Sequence, residues 1–160
     1  MKNFSLAVSR FAICAWVGAA TLFVITAIGE VTSPDFTSVT KNALALLRFP
    51  TYYTFGFVSV SVALVSGVIA SRGKSAGRRR LKACVAILVV VLLVMIADYF
   101  AVYRPLAVMI ATPDARPASF QIYHKASMYI NAVHVGLSGL AAFLVCWPRP
   151  QIHEVNSGDE

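Results

Sequence analysis

Long apolar runs separated by short polar stretches set the pattern of this 160-residue chain. The runs cover Phe11 to Gly29, Thr51 to Ala70, Ala83 to Tyr103 and Ala126 to Trp147. Each is close to the roughly 20 residues an α-helix needs to cross a hydrocarbon core about 30 Å thick. In lipid only helices and closed barrels satisfy their own backbone groups, and runs this long and apolar are not barrel strands. The pattern therefore predicts an all-α fold, a four-helix transmembrane bundle. One membrane domain spans residues 1–148, and a polar tail, "RPQIHEVNSGDE", occupies 149–160. The first run holds 19 uncharged residues, longer than a signal-peptide core of about 7 to 15, and is expected to stay as an uncleaved first helix.

The polar stretches predict more structure. In "SPDFTSVTKNALALLRFP" Ser33 can cap a helix that has Pro34 at its first position, with Phe36, Val39, Ala43, Leu46 and Leu47 on one face. This predicts a short amphipathic interfacial helix in the first outer loop, ended before Pro50. Pro105 is expected to kink or end the third helix, and "TPDARPAS" to form a turn from which the fourth restarts near Ser119. Small residues at spacings of three and four suggest close packing on the first helix through Ala12, Ala15, Ala19, Thr26 and Gly29, with Leu22 completing the series. A second such stripe runs along the second helix through Gly56, Ser59, Ala63, Ser66 and Ala70.

Composition agrees with a membrane protein: 58% of residues are hydrophobic and 13% charged, far from an ordinary soluble domain. The net charge of +7 is concentrated in "SRGKSAGRRRLK" between the second and third runs. The positive-inside rule makes that loop cytoplasmic, hence both termini as well, an N-in/C-in protein of the cell's inner membrane. The charge thus reports topology and contact with the lipid bilayer. A basic cluster this short, with no aromatic-studded groove, does not indicate nucleic acid. Other membrane subunits or a second copy of the chain are the partners such a bundle admits.

Candidate chemistry lies in the last two runs. His124, Ser127, Asn131, His134 and Ser138 fall within an arc of about 80° on one helix, a polar face that must turn toward the bundle interior. Asp98 is an acid well inside the third run, about 7 Å from its outer end and level with Ser127 to Asn131. A carboxylate there is costly unless paired, protonated or wet. Candidate partners are His124, Asn131, Lys125 and Arg104, with hydroxyls from Tyr99, Tyr103, Tyr52 and Tyr53. The constellation is either an interhelical hydrogen-bond network or a small polar cavity, open to the outside, for an ion or small polar ligand.

His124 and His134 are about 15 Å apart along one helix and cannot ligate one ion. Copper held by one of them with Asp98, or haem shared with a partner chain, are the cofactor alternatives, and no established ligand spacing calls for either. A His124–Ser127–Asp98 triad lacks an oxyanion-hole motif and a nucleophile elbow. Cys14, Cys84 and Cys146 fall near the cytoplasmic helix ends, with no CxxC pair. They are expected to be small buried hydrophobes, with a soft-metal thiol cluster the other reading.

The order Phe120, three residues, His124, two residues, Ser127, three residues, Asn131, followed by Gly139-Leu140, resembles the membrane family of transmembrane protein 205 and its bacterial relatives. The four spans, Phe49-Pro50 at the entry to the second helix and Arg104-Pro105 at the end of the third are similar too. Asp98 stands where the resemblance leads one to expect an asparagine-type residue. The resemblance implies a multi-pass protein with no established activity, and carries over Phe120, His124, Ser127 and Asn131. Together these readings give a non-enzymatic membrane protein with an outward-facing polar network of Asp98, Tyr99, Arg104, Phe120, His124, Ser127 and Asn131. The alternative is a metal- or haem-binding oxidoreductase subunit using His124 or His134.

Overall fold

The computed structural model describes residues 2–72, 78–112 and 117–148. The tail 149–160, Lys74 in the basic loop and residues 113–116 of the last outer loop lie outside the described residues. The described chain is helical: α1 (Lys2–Thr32), α2 (Ser38–Ser71), α3 (Arg78–Asp98), a π-helical turn (Tyr99–Tyr103), α4 (Arg104–Ala111) and α5 (Phe120–Cys146). The third run is one continuous span, Arg78–Ala111, and with α1, α2 and α5 it makes four helices long and apolar enough to cross a membrane. In an up-and-down bundle α1 packs on α2, α2 on α3, α3 on α5, and α5 back on α1.

The buried core lies where the four spans face one another: Ile13, Trp16 and Ala20 from α1, Val60 and Ala63 from α2, Leu88, Val91 and Met95 from α3, Ala141 and Val145 from α5. The expected seam on α2 is present, with Gly56, Ser59 and Ala63 buried. A Cβ on Gly56 would sit 2.6 Å from both the Trp16 ring and Met95 Cε, so only glycine lets α1 and α3 side chains meet over α2 at this level. The seam expected on α1 is displaced. Ser9, Ala12, Ile13, Trp16 and Ala20 face inward, while Leu22, Thr26 and Gly29 are exposed. The bulk of Trp16 turns the helix to its own side.

No separate interfacial helix forms in the first outer loop. Ser33 Oγ instead accepts from the Asp35 N–H at 3.2 Å in a turn, and the helix starts later, with Thr37 Oγ accepting from the Thr40 N–H at 3.2 Å. From there α2 runs through Pro50 without a break. Proline removes one backbone donor, but a broken helix at membrane depth would strand several groups, so continuing is the cheaper solution in lipid. Phe36, Val39 and Leu47 are exposed on this stretch and take no part in the bundle core.

Pro105 likewise does not end its helix. The preceding residues widen into the π-helical turn, where the Arg104 N–H bonds the Tyr99 carbonyl, five residues back. One extra residue in the turn absorbs the proline and lets the helix proceed to Ala111. The restart near Ser119 is as expected, with Ser119 preceding α5 and its carbonyl accepting from Ile122 and Tyr123.

Polar side chains close both ends of the bundle. At the basic-loop end, Arg10 Nε donates to the Val145 carbonyl at 2.8 Å and Arg80 Nη2 to the Trp147 carbonyl at 2.9 Å. Both guanidiniums thus meet the negative C-terminus of α5. At the opposite end Lys41 Nζ donates to the Val31 carbonyl at 2.6 Å, and Arg48 pairs with Glu30 across α1 and α2.

Candidate functional site

Asp98, the last residue of α3 before the π-helical turn, is 1% exposed. One carboxylate oxygen, Oδ2, accepts from the Tyr53 hydroxyl of α2 and from Asn131 Nδ2 of α5, the latter at 3.3 Å. The other oxygen, Oδ1, is buried with no hydrogen-bond partner. Both donors are neutral, and no cation bonds this carboxylate among the described residues.

Asn131 is the hub. Its amide nitrogen also meets the Ser127 carbonyl at 2.8 Å and Ser127 Oγ at 3.3 Å. Its oxygen accepts from the Tyr52 hydroxyl at 3.1 Å and contacts His134 Nε2 at 3.0 Å. A carbonyl oxygen only accepts, so His134 carries its proton on Nε2 in this contact. That leaves Nδ1, which is buried and has no partner. The His134 ring stacks on Trp16 of α1, centroids 6.1 Å apart and planes 15° apart. Trp16 Nε1 in turn donates to Ser138 Oγ at 3.2 Å, and Ser138 Oγ to the His134 carbonyl at 2.7 Å. The network therefore draws on all four spans and holds two bare acceptor atoms, Asp98 Oδ1 and His134 Nδ1, on either side of Asn131.

Aromatic rings cover it toward the end away from the basic loop. Tyr53 contacts Tyr99 and Tyr103 at centroid distances of 5.2 and 4.8 Å, and Tyr52 stacks on Phe23 at 4.3 Å. Tyr53, Asp98 and His134 have at most 1% exposure, so these groups are closed over; of the two readings the sequence left open, an interhelical network and an open cavity, this geometry resembles the first. The two prolines flank this layer: Pro50 precedes Tyr52 and Tyr53 on α2, and Pro105 follows the turn that starts at Tyr99, next to Asp98.

The residues singled out in the sequence divide. Asp98, Ser127 and Asn131 come together through the Asn131 amide, and Tyr99 joins through its ring contact with Tyr53. Arg104 is exposed and lies over the Phe100 ring, 5.9 Å from its centroid. His124 is exposed near the start of α5, its ring stacked on Phe120 at 5.9 Å. The partners given to Asp98 are thus Tyr53 and Asn131, and the histidine of the network is His134. Trp16 was not connected to it from sequence, and Ser138, placed on the polar face there, had no partner assigned. The available signal was an indole inside the first apolar run, with an N–H that needs a buried acceptor.

Among the described residues no group of three or more His, Cys, Asp or Glu side chains gathers as a metal site. Cys84 is buried, its Sγ 3.5 Å from the Ala141 carbonyl, but Cys14 and Cys146 are exposed, correcting the expectation that all three are buried hydrophobes. Comparison of the chain with protein-family models, with curated proteins and with solved structures returned no match.

Proposed function

We propose that this multi-pass integral membrane protein handles a proton or small monovalent cation at Asp98, without catalysing a covalent reaction. The observation that carries the reading is the bare Asp98 Oδ1. It belongs to a buried carboxyl whose other oxygen meets only the neutral donors Tyr53 and Asn131. A carboxylate so placed in hydrocarbon surroundings is stable when it is protonated or holds a cation, and an acid inside a span marks an ion or proton route more often than a packing contact. His134 Nδ1 offers a second bare acceptor, reached through Asn131. The π-helical turn beside Asp98 and Pro50 beside Tyr53 supply local helix irregularities through which access can open, as such turns do at many functional sites.

Reconstitution in liposomes tests this. Purified protein should dissipate an imposed pH or monovalent-cation gradient. Asp98→Asn, which keeps the shape of the side chain, should cut the rate at least tenfold while the bundle stays folded. Equal flux from the two proteins would leave Asp98 as an interhelical tie and overturn the proposal. The rival reading, a metal- or haem-binding oxidoreductase subunit, would use exposed His124 toward a second chain, and a stoichiometric haem or copper band in the purified protein would favour it. Kinship with the transmembrane protein 205 family belongs to the same proposal and rests on Phe120, His124, Ser127 and Asn131.

A further inference from the structure

Away from Asp98, at the basic-loop end, Cys14 of α1 and Cys146 of α5 face each other. Their sulfurs are 3.8 Å apart although the residues are 132 positions apart in sequence. Both side chains are exposed. Arg10 and Arg80 donate to the carbonyls of Val145 and Trp147, the residues on either side of Cys146. Arginines and a half-exposed Trp147 mark the headgroup level of a membrane beside this pair, within reach of a small uncharged oxidant. The guanidiniums also hold the end of α5 against α1 and α3, which keeps the two thiols in register.

We propose that Cys14 and Cys146 form a reversible dithiol–disulfide pair, a redox modification site that ties α1 to α5. Closing the sulfurs from 3.8 Å to a bond of about 2.05 Å asks for side-chain rotation at two exposed residues. The oxidant is a hydroperoxide. One thiolate attacks the peroxide oxygen, giving a sulfenic acid and, with one proton, water. The second thiolate attacks that sulfur, forming the S–S bond and releasing a second water. Two thiols lose two electrons and two protons, and hydrogen peroxide becomes two waters. A small thiol reverses the step by exchange, as the reducing side assigned to this end by the positive-inside rule requires of a sensing pair.

The pair's position gives the bond a consequence. Cys14 lies two residues before Trp16, and Trp16 makes the α1–α5 contacts with His134 and Ser138. A covalent tie at Cys14–Cys146 therefore restrains the seam that carries the inner half of the polar network. A metal site is the weaker use of these sulfurs, since among the described residues no third His, Cys, Asp or Glu joins them as a metal-binding group.

The test uses the full chain in detergent and in native membranes, treated with hydrogen peroxide or with dithiothreitol and then labelled with a mass-tagged maleimide. Peroxide should remove two labelled thiols per chain without forming dimers, and a Cys14–Cys146 cross-linked peptide should appear. Dithiothreitol should restore both thiols. Cys14→Ser and Cys146→Ser should each abolish the protection, and Cys84→Ser should leave it intact. Full labelling of both thiols after peroxide, an intermolecular cross-link, a bond through Cys84, or oxidation that stops at sulfinic acid would overturn the proposal.

Discussion

Asp98 and its neighbours show how a few polar atoms can organise an apolar bundle. Tyr53 donates to Asp98 Oδ2 from α2 while Asn131 reaches the same oxygen from α5. Interhelical hydrogen bonds in membranes average about 0.6 kcal/mol, and bonds to a carboxyl reach about 1.5 to 3 kcal/mol in proteins generally. Tyr53→Phe should therefore lower stability by about 1 kcal/mol, read as a shift of the unfolding midpoint in mixed micelles. A loss below about 0.3 kcal/mol would mean that this contact contributes little to the packing. Gly56 allows a sharper comparison. A methyl group there meets the Trp16 ring and Met95, whereas one at Gly136 meets nothing within 4 Å. Gly56→Ala is expected to cost about 1 to 3 kcal/mol as overpacking, and Gly136→Ala to be neutral or slightly stabilising. The polar residues of this site were legible because they interrupt apolar runs. The exchange of His124 for His134 was not, because a 3.6-residue period gives the face of a helix but not how far along it the neighbouring helices stay in contact.

Helix continuity follows the solvent as much as the local residues. Pro50 and Pro105 carry ordinary breaking signals, yet α2 passes through the first and the third span passes through the second by widening into the Tyr99–Tyr103 turn. Those signals are calibrated on chains whose freed backbone groups can turn to water, an outlet that hydrocarbon does not provide. The helix ends, in contrast, use long-range partners that no local motif announces. Arg10 and Arg80 come from α1 and α3 to the last carbonyls of α5. A cation at a helix C-terminus contributes about 0.3 to 1 kcal/mol when exposed. Arg10→Ala is expected to speed amide hydrogen exchange in the final turns of α5, and Arg10→Ala with Arg80→Ala to speed it further. Exchange unchanged in the double variant would show that the end of α5 is held by packing alone.

For the bundle as a whole, the basic loop and the closed aromatic layer lie at opposite ends, so orientation decides which side of the membrane the site faces. On the positive-inside expectation the basic loop faces the cytoplasm and the Tyr53–Tyr99–Tyr103 layer faces outward. In a chain with its three cysteines replaced by serine, Ala115→Cys should react with a membrane-impermeant maleimide in intact cells, and Ala76→Cys only after lysis. The reverse pattern would invert the topology and turn the Asp98 end toward the cytoplasm. Along the α1–α5 seam Trp16 lies between the Cys14–Cys146 contact and His134.

Length and apolarity of the four runs were enough to establish an all-α membrane bundle, because the cost of unsatisfied backbone in lipid leaves no other fold for them. Polar residues inside those runs were enough to name Asp98, Ser127 and Asn131 as neighbours, because polar groups in hydrocarbon seek hydrogen-bond partners on facing helices. The rotation of α1 about Trp16, the passage through Pro50 and Pro105, the choice of His134 over His124 and the meeting of Cys14 with Cys146 depend on how the helices pack. Each brings together atoms distant in sequence, or weighs a local preference against the surroundings of the whole helix, and no window along the chain contains both sides of that balance.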